Sequence, residues 1–166
     1  MADPAQVPSN VVRIVRGLKH FDNKGIEQIA YYQRGVGTDS DLEDKVVGGL
    51  TGSDVGEHVR EAYAMIANNF NPETQKELDS ETGPVDQIVI LGFSRGAFTA
   101  RAIASLISDI GLLTKVGMES FWGIFDDWKN QDIMGHKSQW FQNKFPSVGN
   151  VSFADPKYRQ ALMDVS

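Results

Sequence analysis

Five residues in the middle of the chain, Gly92-Phe93-Ser94-Arg95-Gly96, have the types and spacing for acyl-transfer chemistry. A serine hydroxyl held on a tight turn between two glycines can attack an ester carbonyl, provided that the turn lifts it clear of its neighbours. The N–H of Arg95, the residue after the serine, would then face the oxygen on which negative charge develops. Gly92 and Gly96 would form the elbow, where side chains would collide and the backbone needs permissive angles. The competing reading is that a pattern with three fixed positions arises by chance, a serine between glycines being a solvated loop residue. Context favours the elbow. The apolar run Ile88-Val89-Ile90-Leu91 precedes the motif, and Phe98, Ala102, Leu106 and Ile110 recur at helical spacing after it. Strand, turn and helix are therefore expected in that order, with Gln87 to Leu91 the most buried strand and Ala97 to Ile110 the most buried helix.

A serine nucleophile needs a base, and in an elbow domain the acid and the histidine follow the serine in the chain. The chain has three histidines. His20 and His58 precede Ser94 and read as surface helix residues. His136 follows it and is the candidate base, although it lies in a polar stretch with no strand end to hold it. Asp126, Asp127 and Asp132 read as solvated charges. Arg95 and Arg101 suit either an acidic headgroup or ordinary surface and ion-pair duty.

The elements that would carry these residues follow from pattern. Met1 to Val7, small and polar with Pro4 inside it and Pro8 directly after it, read as a loose terminus. Ser9 or Asn10 can cap a helix striped by Val11, Ile14, Val15 and Leu18 and ending near His20. Phe21 to Gly25 has turn composition, Gln28 to Tyr32 reads as a strand, and Arg34 to Asp39 as a loop. Gly48 to Gly56 lacks the Gly-Lys-Ser or Gly-Lys-Thr of a phosphate loop. Asp54 with Glu57 instead resembles a capping box opening a helix along Val55, Val59, Ala62, Tyr63, Ile66 and Phe70. Asn71 to Asp86 reads as an exposed loop. Beyond the elbow helix, Phe121, Ile124, Phe125 and Trp128 form one aromatic stripe and Trp140, Phe141 and Phe145 another, which would be core or the lining of an acyl pocket. Asp155-Pro156 is a helix start with Tyr158, Ala161 and Leu162 turned inward.

Composition bounds the function. The 166 residues suit a single domain, and a net charge of -6 argues against nucleic acid as a partner. The absence of cysteine excludes a disulfide framework and a thiolate metal site. No stretch has the pattern of a signal peptide or the length of a membrane span, so the expectation is a soluble, cytoplasmic chain. Oligomeric state is left open.

Three phrases together resemble one family: Asn10-Val11-Val12-Arg13, Tyr31-Tyr32-Gln33-Arg34-Gly35-Val36-Gly37-Thr38, and Gly92 to Arg101 (GFSRGAFTAR). They are similar to the α/β-hydrolase family that contains the type VI secretion phospholipase effectors. The resemblance runs from about Ser9 to Leu113. It implies a doubly wound, mainly parallel sheet with helices on both faces, a serine nucleophile at Ser94, and ester or phospholipid substrates met through transient lipid contact. No metal and no organic cofactor is implied. The Asp-Gly-Thr strand end, the Trp-Asp-Thr-Val-Gly acid strand and the His-x-Asp-Val-Gly phrase of the family are all missing. The expectation is therefore one partial α/β-hydrolase domain over 1–166, lacking the first and the later strands. Within it, 9–113 would be the nucleophile-bearing core and 114–166 a helical cap. A non-catalytic interaction module or an inactive truncated product is the alternative.

Overall fold

The structure is a computed structural model, and it describes residues 9–34, 52–70, 86–133, 136 and 138–163, with the side chains of 52–54 excepted. Six α-helices are found among them: α1 (Asn10–Gly17), α2 (Gly52–Asn69), α3 (Arg95–Ile110), α4 (Phe121–Lys129), α5 (Gln139–Lys144) and α6 (Pro156–Met163). A single 3-10 turn, Gly117–Ser120, leads into α4. The chain divides into two compact units, Met1–Ala62 with Asn71–Ile103, and Tyr63–Phe70 with Ala104–Ser166.

The expected parallel sheet is not present among the described residues, and the α/β-hydrolase architecture is corrected accordingly. The described β-pairing is one isolated antiparallel bridge, Phe21 with Glu27. Gln28 to Tyr32 continues from that bridge without a strand partner among the described residues. Gln87 to Leu91, in pattern the most buried strand, forms no ladder with the described residues, and Val89 is 77% and Leu91 57% exposed. The physical reason is that an apolar run records only a preference for burial. A strand exists through hydrogen bonds to neighbours on either side, and none is supplied here by the described residues.

In the first unit, α1 starts where the Ser9 hydroxyl accepts from the Val12 N–H at 3.4 Å. The chain then reverses at Asp22 to Gly25. The Asp22 carboxylate accepts from the N–H groups of Ile26 (2.8 Å) and Lys24 (2.7 Å), and Gly25 takes φ 81°, in the left-handed region. Those backbone donors, Ile26 foremost, hold the Asp22 carboxyl below the usual carboxylate range. The Gln33 side chain donates to the His58 carbonyl (3.1 Å) and to Glu61 (3.2 Å), tying the extended stretch to α2. Helix α2 begins at Gly52, so Asp54 sits inside the helix rather than at its cap. Val59 and Ala62 are buried as the stripe requires.

The second unit is built on rings. Tyr63 stacks on Phe121 with centroids 4.6 Å apart, and Phe141 stacks on Tyr158 at 4.1 Å. Phe121, Ile124, Phe125 and Phe141 are buried, which places both aromatic clusters in its core. The Tyr63 hydroxyl donates to the Gly111 carbonyl (2.9 Å) and accepts from the Leu113 N–H (3.0 Å). It thereby satisfies backbone groups freed where α3 ends at Gly111, which takes φ 72°. Ser138 caps α5 through the Phe141 N–H at 2.9 Å, and Asp155 caps α6 through the Lys157 N–H at 2.9 Å.

The Met1 to Val7 terminus, Gly35 to Asp39, Gly48 to Thr51 and Asn71 to Val85 lie outside the described residues.

Candidate active site

Ser94 stands at the junction between the extended segment and α3, with φ 53°. It is the one described residue other than glycine with a positive φ. The turn is closed by two backbone bonds, from the Gly96 N–H to the Phe93 carbonyl and from the Ala97 N–H to the Ser94 carbonyl, both 2.9 Å. The two glycines differ in their reasons. A Cβ on Gly92 would overlap the Gly96 carbonyl oxygen and lie 2.7 Å from the Ala97 Cα, so this position admits no side chain. A Cβ on Gly96 would meet nothing within 4 Å, so the crowding expected there is absent.

Ser94 is exposed and precedes the first residue of α3. No described group accepts a hydrogen bond from the Arg95 N–H. As the first helical amide it has no partner within the helix and lies at the positive end of the helix dipole, where it can receive a developing oxyanion.

The phase of α3 corrects the expected stripe. Thr99, Ile103 and Leu106 are buried, whereas Phe98 is 65% exposed. Residues four apart advance by about 40° around a helix, so a stripe drawn through Phe98, Ala102, Leu106 and Ile110 swings through about 120° from end to end. Phe98 falls on the solvent side with Arg101 and Ser105.

The histidines are placed as follows. The His20 ring lies 3.4 Å from Glu27 on the surface, and the His58 carbonyl is held by Gln33. His136 belongs to the second unit and Ser94 to the first. The His136 ring has a partner that the sequence did not disclose: its Nε2 lies 3.3 Å from Asp127 Oδ1. Asp127, read from the sequence as a solvated charge, is only 3% exposed, and its Oδ2 accepts from the Tyr158 hydroxyl at 2.6 Å. Burial first, and then the hydrogen bond to Asp127 and its negative charge, push the Tyr158 phenol far above its ordinary range. Asp127 and His136 border a cleft of about 380 Å³ together with Gln131, Asp132, Asn150 and Ser152. The local signal for this group was slight, because Tyr158 is separated from Asp127 by 31 positions. Asp109 likewise accepts from the Trp128 indole (2.8 Å) and lies 3.8 Å from Arg159.

Among the described residues, no three His, Asp or Glu side chains gather closely enough to share a metal ion. No described helix is long and apolar enough to cross a membrane.

Comparison with known proteins gives the chain its relatives. It is 33% identical over 126 residues to the uncharacterised protein YEL023C of Saccharomyces cerevisiae, a match covering 73% of this chain and 18% of that protein. The chain thus spans less than a fifth of the length of that curated relative. No solved structure matches. The model of the family described as "T6SS, Phospholipase effector Tle1-like, catalytic domain" matches residues 1–162, and the chain belongs to that phospholipase family.

Proposed function

We propose that this chain carries the nucleophile of a carboxylic-ester hydrolase of phospholipase type, and that Ser94 is that nucleophile. The observation that supports it is the left-handed backbone of Ser94, held between a glycine that admits no Cβ and the first free amide of α3. Nothing in packing requires a serine there, since glycine adopts the same angle at lower cost. The hydroxyl is the property that distinguishes serine at this position.

In the proposed reaction the Ser94 Oγ attacks the ester carbonyl carbon, and the carbonyl oxygen becomes an oxyanion that the Arg95 N–H receives. Collapse of the tetrahedral intermediate expels the alcohol and leaves an acyl-serine, which water then hydrolyses. The hydroxyl proton needs an acceptor, and His136 is the residue that we put to the test for this role. Chemistry of this kind calls on no metal or organic cofactor.

The experiment is reaction of the purified chain with a fluorophosphonate probe, alongside hydrolysis of p-nitrophenyl esters and phospholipids. The wild-type chain should label and turn over, and Ser94→Ala should abolish both. If the His136 ring takes the proton, His136→Ala lowers the rate by at least about a hundredfold. If the ring serves only to pair with Asp127, the rate is unchanged. An unlabelled wild-type chain that is folded by circular dichroism would overturn the nucleophile assignment and favour a non-catalytic interaction module.

A further inference from the structure

The surface around Ser94 has a composition that ester chemistry alone does not require. Phe93 is 79% and Phe98 65% exposed, placing one bare aromatic ring directly before the serine and another one helical turn after it. Each is close in sequence to an arginine, Phe93 two residues before Arg95 and Phe98 three before Arg101. From Gln87 to Ser108 the charged side chains are Arg95 and Arg101, with no acidic residue, in a chain whose net charge is -6. No described carboxylate lies within ion-pair distance of either arginine. Arg101 is three residues beyond Phe98 on the exposed face of α3, so the two side chains are neighbours.

Exposed rings flanked by guanidinium groups match the two-part chemistry of a membrane surface. Aromatic rings settle in the headgroup layer, with their apolar bodies towards the acyl chains. Arginines flex along their aliphatic stems to meet phosphates, and an anionic leaflet concentrates positive charge against itself. We propose that the Phe93 to Arg101 surface docks onto an anionic lipid bilayer, with the Phe93 and Phe98 rings entering the interfacial layer and Arg95 and Arg101 on lipid phosphates. The inference deepens the reading of Ser94 as a lipid-ester nucleophile, because it puts that hydroxyl at the depth of the ester bonds. It also puts two arginines, with no acidic residue between Gln87 and Ser108, on the face that would approach lipid.

The test separates docking from catalysis by using the full chain with Ser94→Ala, which binds without consuming the bilayer. It is mixed with sedimentable vesicles of phosphatidylcholine alone, and of phosphatidylcholine with phosphatidylglycerol. The expected result is sedimentation with the anionic vesicles, weakened by salt, and little with the neutral ones. Adding Arg101→Gln should lower the partition constant about fivefold, and Phe98→Ser about tenfold. Phe98→Trp should retain binding, and circular dichroism should be unchanged in all three. Equal partition to both kinds of vesicle, or binding indifferent to Phe98 and Arg101, overturns the proposal. So does concentration-dependent self-association lost on Phe98→Ser without vesicle binding, which would assign the surface to a second copy of this chain. Anionic binding by this variant, with no ester turnover by the wild-type chain, would remove the hydrolase reading and leave the docking surface standing.

Discussion

The two glycines around Ser94 look equivalent in the one-letter sequence, yet the structure gives them different tasks. Gly92 packs against the backbone of Gly96 and Ala97, which cannot step aside as a flexible side chain could. Gly92→Ala should therefore cost about 2 kcal/mol or more and reduce fluorophosphonate labelling, because relief of the overlap must shift the turn that carries the hydroxyl. Gly96→Ala should leave labelling within about twofold, since its Cβ enters open space in the first turn of a helix. Urea denaturation and probe labelling of the two variants side by side check this, and equal damage from both would refute it. A second contrast concerns hydrogen bonds. Tyr158→Phe removes the donor from Oδ2 of the buried Asp127 and should destabilise by about 1.5–3 kcal/mol. Gln142→Ala breaks an exposed bond to Asn150 and should cost less than about 0.5 kcal/mol. The difference would appear as a shift in the urea midpoint with little change in slope.

Among the elements, those defined by local chemistry were legible in the sequence, and those defined by remote partners were not. Ser9 announces α1 and Asp155-Pro156 announces α6, because a cap and its amide lie within three residues of each other. The aromatic stripe of α4 was equally plain, its rings recurring at the helical period. Ser94 at a strained turn was readable from the spacing of Gly92 and Gly96, although only Gly92 proved crowded. The sheet failed because Ile88 to Leu91 states a preference whose fulfilment depends on chain neighbours that a local pattern cannot supply. Phe98 was misassigned because four-residue spacing drifts around a helix, so the buried face had to be found from Thr99, Ile103 and Leu106. Asp127 was misread for a different reason. An acidic residue between another aspartate and a tryptophan looks solvated until its partners, His136 and Tyr158, are brought to it.

For the molecule as a whole, alkaline pH should expose the reliance of the second unit on its tyrosines. Burial raises the Tyr63 phenol to about 12 from an ordinary 10.0, against the opposing pull of the Leu113 N–H. The folded state thus holds that proton more tightly than the unfolded chain. The resulting stabilisation is complete below about pH 10 and is lost as pH rises through about 12, an amount on the order of 3 kcal/mol. Tyr158 is raised further and adds a loss of the same sign. Denaturant midpoints should fall steeply above about pH 10, and Tyr63→Phe, which has no proton to lose, should show a shallower fall from a lower starting stability. The left-handed Ser94 carries a different consequence, which falls on ancestry. Ser94→Gly should make the chain more stable by about 1 kcal/mol, whereas Ser94→Ala brings no such relief, because alanine pays the same steric penalty at φ 53°. Selection for folding alone therefore favours glycine at this position, and a lineage without the proposed reaction would drift towards it. Serine retained at position 94 across divergent descendants would be the mark of a hydroxyl still in use.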